Sequence, residues 1–231
     1  MNFHRASYAL VVPLAVSLSS AALADPRPYD PVIHAEDFVS QVNNPYFPLP
    51  SGRHWTYRST DGTERIEVEV LPGSKPILGV STTIVHDEVF TNGTKTEDTF
   101  DWYAQHEDGT VWYFGEDTKT LDAQGNTIST EGSWEAGVAG AKPGIVMLAH
   151  PEAGDSYRQE FFAGFAEDFA KVVRLGEVVS VPWGVFGNCV ETTEWTPLAP
   201  GPKEHKFYAS GIGLVLEVDR KERLELTNVQ P

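Results

Sequence analysis

The residues best placed to do chemistry lie in Thr96–Asp117, TEDTFDWYAQHEDGTVWYFGED, where aromatics sit between two acidic ends. The stretch reads as two strands joined by a turn over His106–Gly109. Strand alternation puts Asp98, Phe100 and Trp102 on one face of the first strand, and Asp101, Tyr103 and Gln105 on the other. On the second strand Trp112, Phe114 and Glu116 share a face opposite Val111 and Tyr113. A turn centred near Glu107 would set Trp102 across from Trp112, Phe100 from Phe114, and Asp98 beside Glu116.

That arrangement offers three kinds of chemistry. Facing carboxylates repel, so one of them can hold a raised pKa and work as a general acid. Asp98, Asp101 and Glu116 are therefore the catalytic candidates for a hydrolase or lyase. The same repulsion can be relieved by a cation, which makes Asp98, Glu116 and Asp117 the metal candidates, with calcium the ion an oxygen-only set would take. Trp102, Tyr103, Trp112, Tyr113 and Phe114 could line a site for a small or apolar ligand, or form ordinary sheet core. Solvent around the acids and core packing of the rings are the simpler alternatives.

A second constellation lies near the C-terminus. Cys189 and Glu191 share a strand face, and His205 lies on the next strand; together they could ligate zinc, although no ligand spacing points to it. His86 and His150 stand alone. The chain has no G-x-S-x-G elbow, no H-E-x-x-H helix, no phosphate-cradling glycine loop and no paired cysteines. Asp122–Asn126 has only part of a calcium loop. No cofactor is expected from motifs.

The elements that position these residues read as β throughout. Glu64–Val70 alternates with period two after an Asp61-Gly62 turn, pairing with Arg53–Ser59. Gly79–Phe90 follows, and Asn92-Gly93 turns it into the central hairpin. Asn92-Gly93-Thr94 also fits a glycosylation acceptor, but reads better as that turn. Further strands are expected over 119–122, 127–131, 145–149, 157–163, 166–175, 178–181, 185–195, 204–209, 214–219 and 223–229, with 132–144 an irregular loop. Short antiparallel strands without long amphipathic helices predict an all-β fold: an up-and-down barrel or a strongly curved sheet or sandwich. A short N-terminal helix is expected over His34–Val42, stopped by Asn43-Asn44-Pro45.

The first 24 residues carry an export signature: His4 and Arg5, an apolar run to Ala22, and an Ala22-Leu23-Ala24 cleavage site. Residues 25–33 read as a flexible leader and 34–231 as one domain. Cleavage near Ala24 would place the protein in the periplasm or outside the cell, without a membrane anchor. The lone Cys189 precludes an internal disulfide and reads as a buried thiol. A formal net charge of −16 argues against nucleic acid as a partner and leaves a small molecule as the expected one.

Three segments carry a resemblance. They are Asn44-Pro45-Tyr46-Phe47-Pro48-Leu49 with Gly52, Trp55 and Tyr57; Asp101–Gln105 with Asp108-Gly109 and Val111–Asp117; and Glu204–Ala209 with Gly211, Gly213, Leu214 and Val215. Together they are similar to an uncharacterised family of exported bacterial β-rich proteins, over most of residues 44–219. The resemblance implies a β-rich exported domain. That family has no known activity, so no catalytic residue is carried over.

Overall fold

In the computed structural model, residues 29–199, 201, 203–220 and 222–231 are described. The expected signal peptide and the start of the leader lie outside them. Thirteen strands form one antiparallel, nearly closed barrel. In chain order they are β1 (His54–Ser59), β2 (Glu64–Ile77), β3 (Val80–Thr91), β4 (Thr94–His106), β5 (Val111–Leu121), β6 (Lys142–Met147) and β7 (Ser156–Arg158). They continue as β8 (Glu160–Phe161), β9 (Phe169–Val181), β10 (Gly184–Trp195), β11 (Glu204–Ala209), β12 (Gly213–Asp219) and β13 (Glu222–Gln230).

Two meanders make up most of the wall. β1 to β5 pair in sequence, as do β9 to β13, and β13 closes on β1 through Leu226↔Tyr57 and Val229↔Trp55. The other seam is closed by six consecutive residues. Ser156–Arg158 pairs with β9, while Glu160–Phe161 pairs with β6. Gln159 lies between, its N–H donating to the Asp168 carbonyl at 2.8 Å. The seam needs close backbone approach. A Cβ on Gly144 would come within 2.7 Å of the Arg158 carbonyl oxygen and closer still to Gln159. A closed wall leaves few free strand edges for other chains to pair with.

Several expected strands are longer than the sequence suggested. β2 runs through Pro72-Gly73 with a register shift between Val70 and Ser74, and Gly73 has φ 93°. β9 likewise runs through Gly176. Glycine at positive φ here bends a strand rather than ending it. The expected 132–144 loop contributes Trp134–Glu135, which pairs with β5.

The expected N-terminal helix is not present. A single 3-10 turn over Ala35–Asp37 gives way to extended backbone at Phe38, and Phe38–Val39 pairs with the end of β4. The sheet edge there offers Phe38 more partners than a free helix could: Phe114 and His106 both meet its ring edge-on, with centroids within 5.6 Å. The leader is held as well. Tyr29 donates to the Pro143 carbonyl at 2.8 Å, packs on Phe161, and is followed by an Asp30–Lys142 ion pair. Among the described residues no helix is long and apolar enough to cross a membrane.

Candidate functional site

The central hairpin folds with a different register from the one expected. Asp108 accepts the Thr110 N–H at 2.7 Å and Gly109 has φ 97°, so the turn is centred one residue later than Glu107. Gln105 pairs with Val111, Ala104 with Trp112 and Tyr103 with Tyr113. A bulge follows. Phe114 is the extra residue, so Trp102 lies opposite Gly115, Asp101 opposite Glu116, Phe100 opposite Asp117 and Asp98 opposite Lys119. Trp102 and Trp112 are therefore on adjacent strands but are not partners, and Asp98 does not meet Glu116. The bulge moves Glu116 to the face of Asp101 and Tyr113.

The consequences divide the acids. Asp98 is on a half-buried face with Lys95, whose ammonium lies 2.5 Å from Asp98 and 2.6 Å from Glu88, and with His86 Nε2 at 2.7 Å. Burial opposes its ionisation, but the hydrogen bonds from Lys95 and His86 outweigh it and hold its pKa below the usual range. His86, Glu88 and Asp98 are the one three-residue group among the described residues spaced to hold a metal ion, and the Lys95 ammonium already sits against both carboxylates. Asp117 lies 3.5 Å from Lys119. Asp122 spends its carboxylate on the N–H groups of Gln124 and Asn126, which closes its own loop.

Asp101 and Glu116 are directly opposed and almost fully buried. Asp101 accepts the Tyr113 hydroxyl at 2.6 Å, and Tyr103 and Tyr113 stack with centroids 4.9 Å apart. Tyr103, Tyr113 and Phe114 are wholly buried and Trp102 nearly so; Lys75 covers Trp102 at 3.2 Å, and Trp112 is half-buried. These rings are packed as core. Nearby, Asp87 is 5% exposed and its Oδ1 has no hydrogen-bond partner. Burial, followed by the charges of Asp101 and Glu97, pushes its carboxyl well above the usual range.

The sign of that shift makes a prediction. A carboxyl whose pKa is raised by folding contributes stability below its unfolded value and loses it as pH rises towards the folded one. Above that window an ionised Asp87 costs stability. Asp87→Asn should therefore raise the Tm, by more at about pH 8 than at about pH 3, as scanning calorimetry would show. An equal change at both values would mean that Asp87 does not titrate on unfolding.

The zinc set does not assemble. Glu191 takes Arg174 and His205, each at 2.8 Å, while Cys189 is fully buried and its thiol points to the Phe186 carbonyl at 3.6 Å.

What the fold does build is an open cleft of about 770 Å³ at one mouth of the barrel. Its walls come from separated stretches: Asn43–Tyr46, Gln105 with Asp108-Gly109, Ala149–Glu152, Leu175-Gly176 and Asn188. A buried amide network fixes the first three of these, and β9 and β10 supply the last two. The Gln105 side-chain oxygen accepts the N–H groups of Asn43 and Asn44 at 2.8 and 2.7 Å. Its Nε2 donates to Asn43 Oδ1 at 2.9 Å. Asn44 Nδ2 donates to the carbonyls of Gly109 and Leu148, tying three loops together. Of the expected ligand-binding rings none lines the cleft; Tyr46 does. Asn43, Glu152 and Asn188 carried no signal in the sequence, because only the folded chain brings these separated stretches together.

No protein-family model matches the chain, and no curated protein matches it. Among solved structures the chain is similar to a candidate lipoprotein from Parabacteroides distasonis, at 11% identity and a TM-score of 0.44, over 82% of this chain and 100% of that one.

Proposed function

We propose that the protein is an exported small-molecule-binding barrel whose ligand lies in the Tyr46 cleft. One observation carries this reading: a cleft of about 770 Å³ whose walls are held by the buried Asn44–Gln105 network and by strands β9 and β10, not by the ligand. That volume is within the range of small-molecule sites, and walls fixed in advance lower the ordering cost of binding. The expectation that the central aromatics form the site gives way to one in which they support it. Export rests on the Ala22-Leu23-Ala24 cleavage signature and on the family resemblance.

The test is thermal shift of the mature chain with glycans, amines and lipids. At least one class should raise the Tm, and Tyr46→Ala should abolish the rise; saturation at a hundredfold excess over Kd corresponds to about 2.7 kcal/mol. A rise that survives Tyr46→Ala unchanged would place the ligand elsewhere.

A second reading has its own observation. Asp101 and Glu116 are opposed beside the Tyr113 hydroxyl, the pairing of carboxylates that a hydrolase or lyase uses, and substrate would reach them only if the surrounding core opens. Turnover on ester, glycoside and lactone panels, lost in Glu116→Gln, is the expected result for that reading. An unchanged rate in the variant excludes Glu116 from the chemistry, and no turnover on any panel excludes the reading.

A further inference from the structure

We infer that the cleft takes an uncharged, hydroxyl-rich ligand, of the chemical class of a short saccharide. This inference rests on the cleft reading and deepens it. Five side chains decide it: Asn43, Tyr46, Asp108, Glu152 and Asn188.

The lining carries no lysine and no arginine. The chain as a whole has a net charge of −16, so a phosphate, sulfate or carboxylate group would meet repulsion and no cationic partner. The acids alone would equally suit an amine, but the remaining groups do not. Asn43 Oδ1 is taken by Gln105, which leaves the Asn43 Nδ2 group as a donor, with its orientation set by the network. Asn188 adds another carboxamide. Both carboxamides are exposed to water; a cation brings only donors and would pair with the acids alone, taking up none of the amide N–H groups. A hydroxyl group both donates and accepts. It satisfies an amide N–H and a carboxylate oxygen in the same site.

The two carboxylates are placed to accept. Asp108 Oδ1 accepts the Thr110 N–H and lies 3.1 Å from His106 Nδ1, and the side chain stays exposed at the cleft, within reach of a ligand hydroxyl. Glu152 is exposed on the opposite loop. Tyr46 supplies an apolar face. Its hydroxyl reaches across to the Asn188 carbonyl at 3.5 Å, and its backbone N–H is held by Asn44 Oδ1 at 2.9 Å. The ring is thereby anchored at both ends along the cleft, as a flat surface for the C–H face of a sugar ring.

The experiment is isothermal titration of the mature protein with cellotriose, mannotriose and chitotriose, and with spermidine, digalacturonate and oleate as counter-probes. The expected result is binding of at least one neutral trisaccharide, little changed between low and high salt. Tyr46→Ala and Asn188→Ala should each weaken it at least about tenfold with the fold retained by circular dichroism. Salt-sensitive binding of spermidine, or binding of oleate, lost in Tyr46→Ala and without any trisaccharide binding, would overturn the ligand class and leave the cleft reading standing. Binding of no probe, or binding indifferent to both substitutions, would overturn the cleft reading along with it.

Discussion

Gly115→Ala should lower stability by about 3 kcal/mol or more, enough to shift the Tm by roughly 6–12 °C in a domain of this size. Two effects combine. Gly115 has φ 128°, a conformation that side chains rarely adopt. A Cβ there would also come within 2.9 Å of Glu135 Cα and closer still to the Trp134 carbonyl. Both obstacles are backbone, so no side chain can rotate away. The residue cannot simply move, because the bulge it terminates sets the pairing of Asp101 with Glu116 and the burial of Phe114. Urea unfolding followed by tryptophan fluorescence would measure the loss. A cost under about 1 kcal/mol would mean that β5 and the Trp134 segment do not pack as described.

The second large effect concerns Lys206, which is 1% exposed. Its ammonium lies 2.9 Å from Glu194, 3.8 Å from Glu204 and 4.0 Å from Glu217. Glu194 also accepts the hydroxyls of Thr192 and Tyr208, at 3.0 and 3.2 Å. Burial opposes the lysine charge, but Glu194, Glu217 and Glu204 outweigh it and hold its pKa well above the usual value. For a base with a raised folded pKa, the stabilisation is complete below the ordinary lysine range and is lost only as pH rises through the folded value. Between mildly acidic and mildly alkaline pH it is constant.

Lys206→Met keeps most of the volume and removes the charge, leaving Glu194 without its ammonium in a buried site. Losses of about 3–5 kcal/mol are expected when one partner of a buried pair is removed. Adding Glu194→Gln to the same chain should recover more than half of that loss, because the amide needs no counter-charge. Denaturant midpoints of the single and double variants measure both quantities. A single variant within about 1 kcal/mol of the parent would show that the pair is not buried as a unit.

Much of the wall was legible in the sequence. The period-two run Glu64–Val70 and the turns at Asp61-Gly62 and Asn92-Gly93 mark strands and turns that the barrel contains, since alternation and positive φ are local demands. The all-β, antiparallel class follows from them. The first strand of the central hairpin also has the expected faces, with Asp101 and Tyr103 turned to the buried side.

What failed was register. Asp108 recentres the turn, and the single extra residue Phe114 then inverts the faces of everything after it. A Gly-Glu pair after three aromatics does not announce a bulge; the need for one comes from the Trp134 carbonyl, which approaches from a separate stretch of chain. The same is true of the cleft. Tyr46, Asp108 and Glu152 meet because the amides of Asn44 and Gln105 pin distant loops together, and Asn188 faces them from β10. Lys206 is no clearer from sequence, where a lysine between His205 and Phe207 reads as an exposed strand position.

The most direct test of a ligand at the barrel mouth is an amide chemical-shift titration of the mature chain with the first trisaccharide, amine or lipid found to bind. Shifts should concentrate at Tyr46, Gly109, Gly176 and Asn188, with the Asp101–Tyr113 interior unmoved. Shifts centred on Asp101, Tyr113 and Glu116, with the Tyr46 loop unchanged, would contradict the account.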